Sequence, residues 1–223
     1  MYRALVFDIG NTLVRTVDSI ESTYLEVFGR HGIPAEKLRL FKQFAGRPKH
    51  LLFAEALGDI GDKPKLVRRC MAEFEAILIG KVPGLEAMPG AVDGLTALGA
   101  RGWRIALASG FPRGVGVAIE TRFGWDYPLV CDEDVTEHRP APDPVLRACD
   151  LLAVTAPETI VIGDTPQDVL SAKAAGACSI AIATGKFTPS ELTPFAPRFV
   201  LAALAELPGL LEREFPGTPR DRD

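Results

Sequence analysis

Cysteine is scarce in this chain, and its placement excludes several chemistries. Cys70, Cys131, Cys149 and Cys178 lie far apart in 223 residues, with no C-x-x-C pair to suggest structural zinc or dithiol redox chemistry. Basic clusters are missing too. Lys and Arg total 25 against 29 Asp and Glu, a formal charge of -4, and no stripe of like charge offers nucleic acid a surface. No apolar run approaches the roughly 18 residues of a membrane span. The chain starts in a short strand-like segment, without a basic region followed by a long apolar one. There is no internal repeat or low-complexity block. These absences lead us to expect a reduced, soluble, cytoplasmic, unprocessed protein with neither nucleic acid nor membrane as partner.

What is present is enough apolar sequence, 47% of residues, for one packed domain or for one domain carrying a smaller insertion. Short apolar runs recur at Ala4 to Phe7, Ile105 to Ala108, Leu129 to Cys131, Thr159 to Ile162 and Cys178 to Ala183. Helix-like segments separate them. The expected fold class is α/β: a Rossmann-like, mainly parallel sheet with helices on both faces. The first gap is too long for a single crossover. It holds about four helix-like segments, including Ser19 to Arg30 and Pro64 to Ile79, and it closes at turn residues Lys81 to Gly84 and Met88 to Gly90. We therefore expect an α/β core from residues 1–15 and 88–213 and a small all-helical domain at 16–87, inserted after the first strand. The end, "EFPGTPRDRD" at 214–223, reads as a disordered tail.

Ligands of open parallel sheets bind beyond the carboxyl ends of the strands. Four such ends carry Asp8, Ser109 with Gly110, Arg139, and Gly163-Asp164 with Asp168. Each has an ordinary structural explanation. In "VIGDTPQDV", Thr165 suits a helix N-cap, Pro166 the first helical position and Asp168 a supporting acid. The same two aspartates can also place oxygens near one hard cation. Pro112 suits a helix start after Ser109-Gly110, where free N–H groups would suit phosphate. Arg139 is either a solvated arginine or a phosphoryl clamp.

Taken together, "FDIGNT", "LASG", "RPAPD" and "IGDTPQD", in that order and with a helical insertion after the first, resemble the haloacid dehalogenase (HAD) superfamily of phosphatases and related hydrolases. The resemblance implies a catalytic core with a helical cap domain, and a nucleophile, Asp8, that becomes an aspartyl-phosphate. It implies phosphate binding by Ser109, Gly110, Asn11 and Thr12, with Arg139 balancing charge. Mg2+ would be held by Asp8, the Gly10 carbonyl and Asp164, with Asp168 in support. A carboxylate attacking an anionic phosphoryl group needs such cationic help. The substrate would be a small phosphorylated or phosphonate metabolite, and the protein a monomer or homodimer.

One residue breaks the family pattern D-x-D-x-T. Gly10 replaces the second aspartate, which protonates the leaving oxygen and activates water, a contribution of about 100 to 10,000-fold. A branch with a small residue here, phosphonoacetaldehyde hydrolase, forms an imine between a cap lysine and its substrate before the carbon–phosphorus bond breaks. "SGFPR" and "GRPKH" are similar to stretches of that branch, and put Lys49 in the imine role. The histidine expected on the same face is not evident, and His31 and His50 are weak substitutes for the missing acid. The dehalogenating branch works without metal, which the Asp164 and Asp168 pair argues against. Three readings follow: a Mg2+-dependent phosphatase first, a phosphonatase second, and a catalytically weak phosphate-binding protein third.

Overall fold

The computed structural model describes residues 1–59 and 62–216. In chain order the strands are β1 (Ala4–Phe7), β2 (Val14–Arg15), β3 (Glu86–Ala87), β4 (Arg104–Ala108), β5 (Leu129–Val130), β6 (Thr159–Gly163), β7 (Cys178–Ile182) and β8 (Phe199–Leu201). The helices are α1 (Val17–His31), α2 (Phe41–Phe44), α3 (Lys49–Leu57), α4 (Lys63–Lys81), α5 (Ala91–Ala100), α6 (Arg113–Phe123), α7 (Asp143–Leu152), α8 (Pro166–Ala175), α9 (Pro189–Leu192) and α10 (Leu207–Glu214).

Strand β1 lies within a six-stranded sheet of order β5-β4-β1-β6-β7-β8, in which every pairing is parallel. Its side chains alternate between two cores, as a strand's must. Ala4 and Val6 pack with Ala106, Val145 and Ala148 on one face, while Leu5 and Phe7 join Ile105, Leu107, Ile160 and Ile162 on the other. Both faces are covered, which is why the strands appear in the sequence as unbroken apolar runs. The sixth strand, β8, was not expected. It is short and only its last residue is buried, so it carries little apolar signal.

Between β2 and β3, which pair antiparallel, the chain is helical apart from turns. There α1 to α4 close on an aromatic centre. The Tyr24 ring lies 4.7 Å from Phe74, 5.0 Å from Phe53, 5.9 Å from Phe41 and 6.0 Å from Phe28. Those five rings come from all four helices, so the group has its own core. At the other end of the chain, the expectation of a loose tail from 214 needs correcting. Glu214 ends α10, and Phe215 is buried edge-on against Tyr2 at 5.0 Å, with the Arg198 guanidinium 4.6 Å from its ring centre. An aromatic followed by proline hid that anchor; residues 217–223 lie outside the described residues. Among those described, no helix is long and apolar enough to cross a membrane.

Phe53 is fully buried and touches three other rings. Phe53→Ala should cost about 3–5 kcal/mol, read as a lower urea midpoint with an unchanged m-value. A loss below about 1 kcal/mol would mean that the aromatic centre is loosely packed.

Candidate functional site

The strand order reverses at β1, so the carboxyl ends of β4, β1 and β6 open one crevice. Three residues step off those ends side by side. Asp8 follows β1, its N–H donating to Ile162 at 2.8 Å; Ser109 follows β4, its N–H donating to Val130 at 2.8 Å; Asp164 follows β6. The loop between β5 and α7 returns Arg139 to the same place. Its Nη1 donates to Asp8 Oδ1 at 2.7 Å and to Asp168 Oδ1 at 2.5 Å, while Nη2 donates to the Ala108 carbonyl at 2.5 Å. Arg139 is thus a buried ion-pair partner rather than a solvated arginine.

The Asp168 cap is present as well. Its Oδ2 accepts from the Thr165 hydroxyl at 2.6 Å and from the Thr165 N–H at 3.1 Å. With Oδ1 on Arg139 and Oδ2 on Thr165, Asp168 holds the helix start and the guanidinium together. That leaves Asp8 and Asp164 as the carboxylates facing the crevice, together with Gly10. Backbone packs close behind Asp164: a Cβ on Gly185 would collide with its Oδ2.

Three buried acids, Asp8, Asp164 and Asp168, lie close together, with Arg139 hydrogen-bonded to the first and last and the buried Lys49 in the opposite wall. Burial lifts Asp8 to about 6 despite the opposing pull of Arg139, with the charge of Asp168 adding to the rise. Burial, then Asp8 and Asp168, push Asp164 well above the usual carboxylate range. Burial works against the charge on Arg139, but Asp168 and Asp8 more than offset it and its pKa rises. Buried carboxylates held above their usual range are a place where a divalent cation would favour the charged form. Among the described residues no group of three or more His, Cys, Asp or Glu forms a self-sufficient metal cage. Two carboxylates and a main-chain carbonyl nevertheless suit Mg2+, which completes its shell with water and phosphate oxygens.

Ser109 and Gly110 line the crevice. Ser109 Oγ accepts the Phe111 N–H at 3.3 Å, leaving its own hydrogen free to donate, and no described acceptor takes the Gly110 N–H. The helix start beyond them does not serve as expected: the Arg113 N–H is already capped by the Glu133 carboxylate at 3.0 and 3.1 Å. Asn11 lines the crevice, but its Oδ1 accepts from the N–H groups of Thr16 and Val17 at 3.0 and 3.1 Å and so caps α1. Thr12 is fully buried with an unpartnered hydroxyl and does not line the crevice. Neither threonine burial nor the Asn11 cap is visible in the motif "GNT" itself.

The helical segment supplies the opposite wall. The Lys49 side chain lines the crevice and is buried, its Nζ 5.3 Å from the centre of the Phe111 ring. Burial lowers its pKa, while Asp132 and Asp8 pull the other way. His31 is elsewhere, paired with Glu73 at 3.1 Å. His50 lies against His138, ring centres 6.1 Å apart, and His138 in turn lies 3.4 Å from Asp132. Asp132, His138, Phe41 and Lys186 were not singled out in the sequence, and Phe111 entered only as part of "SGFPR" without a role of its own.

Crossed contacts hold the two walls together. Lys42 before the crevice pairs with Glu191 at 2.6 Å and sits 5.2 Å from the Phe187 ring. Lys186 answers from the other side, paired with Glu21 and 5.4 Å from the Phe41 ring. The walls also meet at Gly46, whose φ of +75° lies in the left-handed region and whose Cβ, if present, would strike Thr165 Oγ1.

A doubly wound parallel sheet with an acid and arginine cluster at its switch point is a Rossmann-like α/β architecture, and comparison with known proteins narrows it. Residues 5–182 match the family model for haloacid dehalogenase-like hydrolases, and the chain belongs to that family. It is 29% identical to probable phosphatase IndB of Dickeya dadantii (strain 3937), over 92% of this chain and 91% of that one. It is 27% identical to a plasmid-borne phosphoglycolate phosphatase of Cupriavidus necator, over 93% and 92%. A solved structure described as a haloacid dehalogenase-like hydrolase from Bacteroides fragilis superposes with a TM-score of 0.83 at 26% identity, covering 93% of this chain and all 100% of the other.

Two outcomes test the geometry. Because the folded carboxyl of Asp164 titrates above its unfolded value, the stability it contributes is complete below the unfolded pKa and is lost as pH rises through the folded one. Metal-free Asp164→Asn should therefore melt higher than wild type at pH 7, by about 2–4 °C for each kcal/mol relieved, and the difference should shrink towards pH 4. An unchanged melting temperature at both values would mean the carboxylate is well solvated. Gly46→Ala should destabilise by about 1 kcal/mol or more and speed amide exchange from Arg47 to Leu51. Unaltered exchange there would show that the approach to Thr165 is slack.

Proposed function

We propose that this protein is a Mg2+-dependent phosphatase of a small phosphorylated metabolite, working through an aspartyl-phosphate on Asp8. The observation that carries it is the convergence of Asp8, Ser109, Arg139 and Asp164 at the ends of adjacent strands. The phosphatase names of its relatives support the same reading. Asp8, Asp164 and the Gly10 carbonyl would hold the cation, which supplies positive charge against the phosphoryl oxygens. In this reading residues 1–15 and 88–213 are the catalytic core and 16–87 the cap.

An Asp8 carboxylate oxygen attacks phosphorus, and the bond to the leaving oxygen breaks. Ser109 and the Gly110 N–H bind the non-bridging oxygens, and Arg139 holds the attacking carboxylate in place while offsetting its charge. Water then hydrolyses the acyl-phosphate and returns Asp8, so one hard displacement becomes two. The Lys42 and Lys186 contacts and the Gly46 approach keep the cap wall over the site, which excludes water from the first transfer.

Gly10 leaves the leaving oxygen without a side-chain acid. A Cβ at Gly10 would stand 3.2 Å from Thr16 Oγ1 and 3.4 Å from the Phe111 ring, in contact with both. Without the acid, turnover should fall steeply as the leaving group becomes more basic.

A second reading, carbon–phosphorus cleavage with Lys49 as imine lysine, is favoured by one observation, the buried position of Lys49 in the crevice wall. An electron sink in place of the missing acid would answer the Gly10 problem.

Phosphate release from an ester panel and from phosphonoacetaldehyde, with Mg2+ or EDTA, separates the readings. We expect metal-dependent ester hydrolysis that Asp8→Asn reduces at least about 1,000-fold. Release from phosphonoacetaldehyde alone, with borohydride trapping a lysine adduct, would replace the first reading with the second. Hydrolysis that survives Asp8→Asn would remove both.

A further inference from the structure

Gly10 is followed by a residue in an uncommon conformation. Asn11 has a φ of +59°, in the left-handed region, which asparagine tolerates better than most side chains. Its N–H donates to the Val14 carbonyl at 2.6 Å. A trans peptide points its C=O opposite to its N–H, so the Gly10 carbonyl is turned away from Val14, and Gly10 lines the crevice. No described donor reaches that oxygen. Two supports of this turn are local: the bond to Val14, and the Asn11 side chain, whose Oδ1 accepts from the N–H groups of Thr16 and Val17. The third comes from the far end of the sheet. The Thr184 hydroxyl, 173 positions along the chain, donates to the Asn11 carbonyl at 2.6 Å.

Thr184 follows β7, and β6 lies between β7 and β1 in the sheet. The loop after β7 therefore passes the end of β6 to reach Asn11. There its next residue, Gly185, packs against Asp164: a Cβ on Gly185 would collide with Asp164 Oδ2 and stand 3.4 Å from the Asn11 Cβ. The loop is itself anchored, with the Ala183 N–H donating to Leu201 at 2.8 Å and the Thr184 N–H to Ile182 at 2.9 Å. We infer that Thr184 is a positioning residue, whose hydroxyl holds Asn11 in its left-handed conformation and so fixes the direction of the Gly10 carbonyl. With Gly185 backing Asp164, one loop aligns oxygens that come from the ends of two different strands. The inference rests on the reading of Asp8, Asp164 and the Gly10 carbonyl as cation ligands, and adds the element that sets their spacing. Hydrogen bonds behind metal ligands commonly govern affinity by about 10- to 100-fold.

The test is cation binding to the substrate-free protein, with Mn2+ followed by loss of its free EPR signal and Mg2+ added as competitor. Wild type should bind both ions, and Asp164→Asn should remove that binding. Thr184→Val keeps the side-chain shape without the donor, and should weaken Mn2+ about tenfold or more. Thr184→Ser, which keeps the hydroxyl, should stay within about threefold of wild type. A residue that merely packs the loop would lower the urea midpoint and leave the affinity of the folded protein unchanged, so both quantities are measured. Thr184→Ala is the second donor-free variant if the valine one folds poorly. Wild-type affinity in the donor-free variants overturns the inference, and so does an equal loss in Thr184→Ser. Either result leaves the cation reading standing. A wild type that binds neither ion removes that reading, and the inference with it.

Discussion

The guanidinium of Arg139 ties the site to the fold. It meets a carboxylate from the end of β1, a carboxylate from the first turn of α8 and a carbonyl from the end of β4. Those three partners belong to adjacent strands or to the helix that follows one of them, so the arginine fixes their spacing. Its second role is electrostatic. Arg139 offsets the charges of Asp8 and Asp168, yet burial still raises the pKa values of Asp8 and Asp164. Burying unpaired charge is among the most costly things a fold can do, and its persistence at a strand-end crevice fits a catalytic centre.

Closure of the helical wall depends on weaker terms. Partly exposed ion pairs such as Lys42 with Glu191 are worth about 0–1 kcal/mol each. The crossed arrangement, with each lysine also over an aromatic ring, spreads four such contacts across the crevice edge. Contacts of this kind hold the wall by about 1 kcal/mol each or less. Gly46 sets how near the wall can come, since any side chain there meets Thr165.

Gly10 links packing to chemistry. Phe111 and the Thr16 hydroxyl line the place where a side chain at position 10 would begin. Phe111 also carries Lys49 over its ring. The ring beside Gly10 therefore also meets the cation of the opposite wall.

Much of this was legible in the sequence, because local patterns determine local structure. The strand runs at Ala4, Ile105, Leu129, Thr159 and Cys178, the Thr165 cap, and the residues at the strand ends follow from hydrophobic patterning and turn chemistry alone. Family resemblance added their roles as expectations. The sequence could not show β8, whose short half-exposed run gives no periodic signal, nor the anchoring of Phe215 against Tyr2 across the length of the chain. It could not show that Arg139 is buried, that Asn11 caps α1, or that Thr12 faces away from the crevice. It also gave no sign of Lys186, Phe41 or Asp132. Each of these depends on which surface a side chain meets after the helical segment folds back over the sheet. Such contacts join residues from distant parts of the chain, Tyr2 with Phe215 and Glu21 with Lys186, and only the packing of whole elements decides them.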